Sequence, residues 1–229
     1  MCGRFILTQP GEVIAEVFGL DDVPRVAPRY NIAPTQPIAI VRRAADRTRR
    51  ELAHARWGLV PSWARDPSIG SRMINARAET VADKPSFRAA FRRRRCLVPA
   101  DGWYEWTKGD AGARQPWLIR DPDGRLLAFA GLWETWLGPE GEELETATIL
   151  TVPAVPALRR LHHRMPLVLA PDRWPAWLET DERERERLAA LLEPDPGLAF
   201  EAFPVSRRVN NPRNEGPENI RPLADDAPP

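Results

Sequence analysis

Trp117 to Arg120 (WLIR), Leu126 to Trp136 (LLAFAGLWETW) and Ala147 to Val152 (ATILTV), with Asp123-Gly124 and Pro139-Glu140-Gly141 between them, decide the fold. These runs are rich in the β-branched and aromatic side chains that fit a pleated, half-buried surface. Gly beside Asp or Pro between such runs marks a reversal of the chain, so the three read as successive antiparallel strands. Working outward, Cys96-Leu97-Val98-Pro99 reads as a buried strand and Gly102-Trp103-Tyr104-Glu105-Trp106 as an aromatic one. Arg4 to Leu7, Ile38 to Val41, Leu52 to Leu59, Leu167 to Leu169 and Phe200 to Val205 add further strands. Arg42 to Arg50 reads as a solvated hairpin tip, and Asp21 to Pro37, polar and proline-rich, as a loop.

Helical signals are fewer. Thr8-Gln9-Pro10 opens a helix with Val13, Ile14, Val17 and Phe18 as its apolar face and Gly19 as its stop. Pro85 begins another with Phe87, Ala90 and Phe91 on one face, and Arg92 to Arg95 reads as its solvated, dipole-favoured end. Pro171 to Leu178 and Asp181 to Leu192 complete the set. Many short strands with a few helices predict an α+β class, mainly antiparallel, with a curled sheet or open barrel-like core and flanking helices. One domain is expected over residues 1–223 and a disordered tail over 224–229.

The chain has 229 residues, 43% of them apolar, enough for one sizeable core. Its longest apolar stretch, near Leu126 to Trp133, is far too short to span a bilayer, and its opening residues lack a signal-peptide pattern. Two cysteines without paired spacing and three histidines argue against a disulfide framework or a structural zinc site. No metal or other cofactor is expected, and a reducing cytoplasm fits. A net charge of +1 means that any attraction to a polyanion has to come from a local patch. Every cation but Lys84 and Lys108 is arginine, the side chain suited to bidentate phosphate contact, although genome composition produces the same bias.

The chemistry-bearing stretch is Met1-Cys2-Gly3-Arg4. With Met1 removed, Cys2 carries an α-amine and a thiol on adjacent carbons. Their ordinary pKa values, about 8 and about 8.5, leave each a usable nucleophilic fraction at neutral pH. Against an aldehyde the amine forms an imine and the thiol then closes a thiazolidine ring; against an amide the residue is an acyl-transfer nucleophile with its own amine as base. A small, buried, structural cysteine remains the plain reading. Glu105 stands out as an acid inside an aromatic strand, where propensity disfavours it. Cys96, inside an apolar run, reads as core.

Cys2-Gly3-Arg4-Phe5, Tyr30-Asn31-Ile32-Ala33-Pro34-Thr35, Arg56-Trp57-Gly58-Leu59-Val60-Pro61, Asn75-Ala76-Arg77-Ala78-Glu79-Thr80, Arg94-Arg95-Cys96-Leu97, Gly102-Trp103-Tyr104-Glu105-Trp106 and His162-His163-Arg164-Met165-Pro166 occur in this order. In these stretches the chain resembles the SOS-response-associated peptidase (SRAP) family, whose members shield abasic sites in single-stranded DNA through a covalent bond to an N-terminal cysteine. The resemblance implies an SRAP-like fold and roles residue by residue: Cys2 as covalent nucleophile, Asn75 holding the Cys2 end, Glu105 as catalytic acid/base and His162 as second polar catalytic group. Arg4 and Arg77 resemble residues that meet phosphates beside the lesion, and Trp106 and Thr151 are further candidates for DNA contact. The family often carries Thr-Thr and an Asn before the histidine stretch; here Val152 follows Thr151 and Val155 replaces the Asn, which leaves the contacts near Thr151 open. The implied partner is single-stranded DNA with an abasic site, bound by a monomer in the cytoplasm at the nucleoid. A cysteine-type autopeptidase cutting Met1-Cys2 and an N-terminal-cysteine glutamine amidotransferase are the rival readings.

Overall fold

The computed structural model describes residues 2–108, 114–181 and 183–223; the expected tail at 224–229 lies outside them. In chain order the elements are β1 (Phe5–Leu7), α1 (Gly11–Phe18), β2 (Arg29–Ile32), β3 (Pro37–Arg43), β4 (Arg50–Trp57), β5 (Asn75–Arg77), α2 (Arg88–Arg93), β6 (Arg95–Ala100), β7 (Gly102–Lys108) and β8 (Arg114–Arg120). β9 (Leu127–Leu137), β10 (Glu143–Pro153), β11 (Arg164–Pro166), α3 (Trp174–Glu179), α4 (Arg185–Ala190) and β12 (Glu201–Pro204) follow.

Five strands close on themselves in the order β10, β4, β3, β6, β9 and back to β10. All but one of these pairs are antiparallel. The parallel pair, Thr146 opposite Arg56 and Ala147 opposite Trp57, closes the barrel. The fold is therefore α+β as the strand pattern implies, with a core that is shut where the sequence suggested an open one. A parallel pairing of distant segments carries no turn signature, so only the tertiary structure reveals it.

β10 outruns the barrel, and its far end changes partners. β11 takes over the edge that β9 leaves, and β5 takes over from β4, so that Thr151 lies between Pro166 and Arg77. A second sheet, ordered β12-β8-β7-β1-β2, packs beside the barrel. The chain passes from one to the other at Asp101, whose N–H donates to Ile6 O at 2.9 Å and whose carboxylate accepts from Thr8 Oγ1 at 2.7 Å. Gly102 is required here by space: a Cβ would stand 2.5 Å from Ile119 O of β8. Between the sheets Phe5 meets Trp57 and Phe129 edge-on at 5.2 and 6.0 Å, and Trp103 meets Phe129 at 5.9 Å. Each such fully buried aromatic contributes about 4 to 6 kcal/mol of gross transfer free energy, before entropy is counted.

The strand expected over Leu167 to Leu169 forms earlier, at Arg164–Pro166, leaving Val168 as an isolated bridge to Phe129. Three further local expectations change. β2 lies inside the stretch expected to be a loop, because Phe5 and Leu7 of β1 supply an edge for Ile32 and Arg29. α1 buries Ala15 in place of Val17, which is 40% exposed. The third concerns Arg95, expected on a solvated helix end. It is the first residue of β6 and is 7% exposed, donating to the carbonyls of Phe91, Arg92, Trp177 and Thr180 at the C-terminal ends of α2 and α3. Its planar fork serves two helix ends at once, which a run of like charges in the sequence does not announce.

Candidate active site

Side chains alternate along β7, so Trp103 and Glu105 share one face and Tyr104 and Trp106 the other. Trp103 lies in the main core, and Tyr104 joins Ile6, Leu118 and Val205 in a smaller one. Glu105 thus inherits a core-facing position and is 4% exposed, beside Trp103, Ile119, Leu158 and Met165. Burial pushes its pKa up to about 7, against the opposing positive charge of the amino terminus.

Cys2 is fully buried immediately before β1. Asn75 of β5 donates from Nδ2 to Cys2 O at 2.7 Å, while its Oδ1 is buried without a hydrogen-bond partner among the described residues. Burial first, and the Glu105 carboxylate second, raise the Cys2 thiol far above its ordinary pKa. The thiol is thus protonated at neutral pH. His162 follows a 3-10 turn at Pro156–Leu158 and precedes β11. Its Nδ1 lies 2.9 Å from Arg164 N and 3.0 Å from Arg164 O, accepting from the N–H in one tautomer and donating to the carbonyl in the other, so the backbone of Arg164 fixes the ring in place. Burial lowers its pKa, so the neutral form prevails at pH 7.

Gly3, Arg4, Glu105, Trp106 and His162 open into one cleft of about 600 Å³. Arg4 lies 5.7 Å from the Trp106 ring centroid and donates to Asn31 Oδ1 at 2.7 Å and Val209 O at 2.9 Å. Arg77 is exposed on β5 and Thr151 faces it from β10; neither lines the cleft. Thr151 departs from the expectation of DNA contact, since it is fully buried and its hydroxyl donates to Ala76 O at 3.4 Å and accepts from Arg164 Nη2 at 3.2 Å. It has no surface to offer a ligand.

The model of the SOS response associated peptidase family matches residues 1–212. The chain belongs to the SRAP family. It is 41% identical to the abasic site processing protein YoqW of Bacillus subtilis (strain 168) over 223 residues, covering 96% of this chain and 99% of that protein. It is 35% identical to the abasic site processing protein HMCES of Gallus gallus, over 87% of this chain and 67% of the relative. A crystal structure of a Bacteroides thetaiotaomicron protein shares the fold with a TM-score of 0.85 at 24% identity, over 97% of this chain and all of the other. A crystal structure of a phage-related protein from Bordetella bronchiseptica matches with a TM-score of 0.72 at 31% identity, over 90% of this chain and 95% of the other.

Two neighbours of the SRAP cleft had no role assigned from sequence although both stand in the family stretches. Asn31, fully buried, donates from Nδ2 to the carbonyls of Val209, Asn211 and Asn214, pinning that segment against β2. Arg164 pairs bidentately with Glu79 at 2.5 and 2.9 Å and also donates to Thr151 O, joining β11, β10 and the turn after β5. Asn210, which accepts from Trp106 Nε1 at 2.7 Å, and Arg114 line the cleft without any sequence signal.

Proposed function

We propose that this protein senses and shields abasic sites in single-stranded DNA by forming a covalent thiazolidine crosslink through Cys2 once Met1 is removed. The observation that carries the reading is the convergence on residue 2: Asn75 fixes its carbonyl, and a carboxyl with a pKa of about 7 stands close enough to shift its thiol. Curated relatives that carry the same name, abasic site processing protein, support the substrate class.

An abasic sugar is mostly a closed hemiacetal. Glu105, half protonated near neutrality, donates a proton to the ring oxygen, the bond from that oxygen to the anomeric carbon breaks, and the anomeric hydroxyl gives up its proton to water to leave the aldehyde. The Cys2 amine attacks the aldehyde carbon, a C–N bond forms, and loss of water gives the imine. Because the buried thiol is protonated, it acts second: sulfur bonds to the imine carbon and its proton passes to nitrogen, closing the five-membered ring. Nothing is oxidised or reduced. The unpartnered Asn75 Oδ1 is the acceptor for the amine in this reading, and His162, which lines the same cleft as Glu105, hydrogen-bonds the hydroxyl that ring opening releases. Arg4 and Arg77 meet flanking phosphates, and Trp106 offers a ring face to a base. The protein acts as a monomer.

The test is a denaturing gel of the protein mixed with an oligonucleotide bearing one abasic site. A heat-stable adduct with wild type and Cys96→Ser, absent with Cys2→Ala, is expected. An adduct that survives Cys2→Ala would overturn the assignment.

A further inference from the structure

β3 and β6 run antiparallel, with Val41 opposite Leu97, and β6 leads toward the Cys2 cleft only at its C-terminal end. The barrel end formed by the last residues of β3 and the first of β6 therefore faces away from that cleft. There, Arg43 and Arg47 from the β3–β4 tip and Arg92 and Arg93 from α2 line a pocket of about 560 Å³. Arg95 belongs to the same wall. Its four bonds to helix-end carbonyls use four of its five N–H donors. All four acceptors are neutral. Among the described residues, none of the ion pairs engages Arg43, Arg47, Arg92 or Arg95.

Burying a charge is costly, and burial lowers the pKa of Arg95 to about 10 against the weaker opposing pull of the Asp181 carboxylate. Arg47 adds a second, independent oddity: a φ of 60° in a non-glycine residue, a strain of about 1 kcal/mol, held by its N–H bond to Ala44 O at 2.9 Å. Two carboxylates, Glu179 and Asp181, also reach the pocket, and Glu179 lies 4.0 Å from Arg50 outside it. Among the described lining residues and leaving Arg93 aside, the four guanidinium groups of Arg43, Arg47, Arg92 and Arg95 outnumber the two carboxylates.

We infer that this pocket is an anion site for a phosphate group, gripped by the forked donors of Arg43, Arg47 and Arg92. Guanidinium forks match phosphate oxygens bidentately, and a recessed pocket admits a terminal phosphate or a small oligophosphate rather than a continuous strand. The inference stands apart from the Cys2 chemistry.

Calorimetric titration of the full chain with pyrophosphate tests it. Wild type and Arg77→Ala should bind about one equivalent, and Arg43→Gln/Arg92→Gln should bind at least tenfold more weakly. Arg92→Gln alone loses no side-chain hydrogen bond among the described residues and should weaken binding several-fold, which separates binding from folding. Undamaged oligonucleotides with a 5′-phosphate or a 5′-hydroxyl distinguish the sources: a phosphate-dependent gain in wild type, lost in the double variant, identifies a strand terminus, and no gain leaves a free oligophosphate as the occupant. No binding by wild type, or equal binding by the double variant, would overturn the site. Adduct formation with abasic DNA should be unchanged in both variants, so this result and the crosslinking assay stand or fall separately.

Discussion

Glu105 shows how a single position couples stability to chemistry. Its place on β7 follows the parity of Trp103, so the backbone delivers a carboxyl into apolar surroundings, and burial lifts its pKa from 4.5 to about 7. Below pH 4.5 the group is protonated both folded and unfolded and has no effect on stability. Between 4.5 and 7 the unfolded chain ionises first, so the folded state loses stability as pH rises, by ~3 kcal/mol in all. Glu105→Gln should therefore flatten that part of the profile and make the protein more stable than wild type at pH 8, as read by urea unfolding at pH 5 and pH 8; an equal change in both proteins would remove the buried acid from the account. The same substitution should slow adduct formation on a natural abasic site about a hundredfold to ten-thousandfold, and much less on a permanently open aldehyde. Equal slowing on the two substrates would move Glu105 from ring opening to the amine or imine step. The sequence marked this residue because an acid inside an aromatic strand is locally inconsistent, whereas the depth of its burial depends on Leu158 and Met165, which arrive from the other side of the fold.

At the scale of elements, strands and helix faces were readable because periodicity and turn residues are local, and β2 and Arg95 were not because their causes are tertiary. β2 exists since β1 offers it an edge, and Arg95 is buried because α3 brings two carbonyls to the end of α2. Arg95→Met should then cost about 2 to 4 kcal/mol, by leaving helix-end carbonyls unsatisfied, and Arg95→Lys should recover only part, since an ammonium lacks the planar fork. A solvated arginine would give less than about 0.5 kcal/mol for either change, so thermal unfolding of the pair decides between the two. Gly102→Ala tests the junction between the sheets. Its Cβ would force β7 from β8 at Ile119 O, costing about 1 to 3 kcal/mol and shifting Glu105 with the strand, so crosslinking should fall more than at an equally destabilised site remote from β7. Stability loss with unaltered crosslinking would mean that Glu105 is not positioned through this junction.

For the whole molecule, a net charge of +1 gives no long-range pull on DNA, and binding has to come from charges gathered at one face. The candidate site was legible as a set of residues but not as a geometry. Cys2, Asn75, Glu105, His162 and Arg4 could be named from the sequence, while Thr151 proved to be interior and Asn210, a cleft residue from the C-terminal segment, came only with the fold. Arg4 and Arg77, alike as sequence candidates, differ once folded. Arg77 is exposed, whereas Arg4 is partly buried and ties β1 to Asn31 and Val209. Replacing Arg77 by Ala should therefore reduce the salt dependence of non-covalent binding to single-stranded DNA by about 0.7 in slope with little change in unfolding temperature. Replacing Arg4 should reduce the slope and also lower the unfolding temperature, because Asn31 and the segment at Val209 lose a charged donor. Arg187 on α4 is paired with Glu184 at 3.2 Å, and Arg187→Ala serves as the control that changes net charge equally. If all three variants gave the wild-type slope on a 5′-hydroxyl oligonucleotide, the DNA would lie elsewhere; if Arg187→Ala alone matched wild type, attraction would be local to the Cys2 face, as a nearly neutral molecule requires.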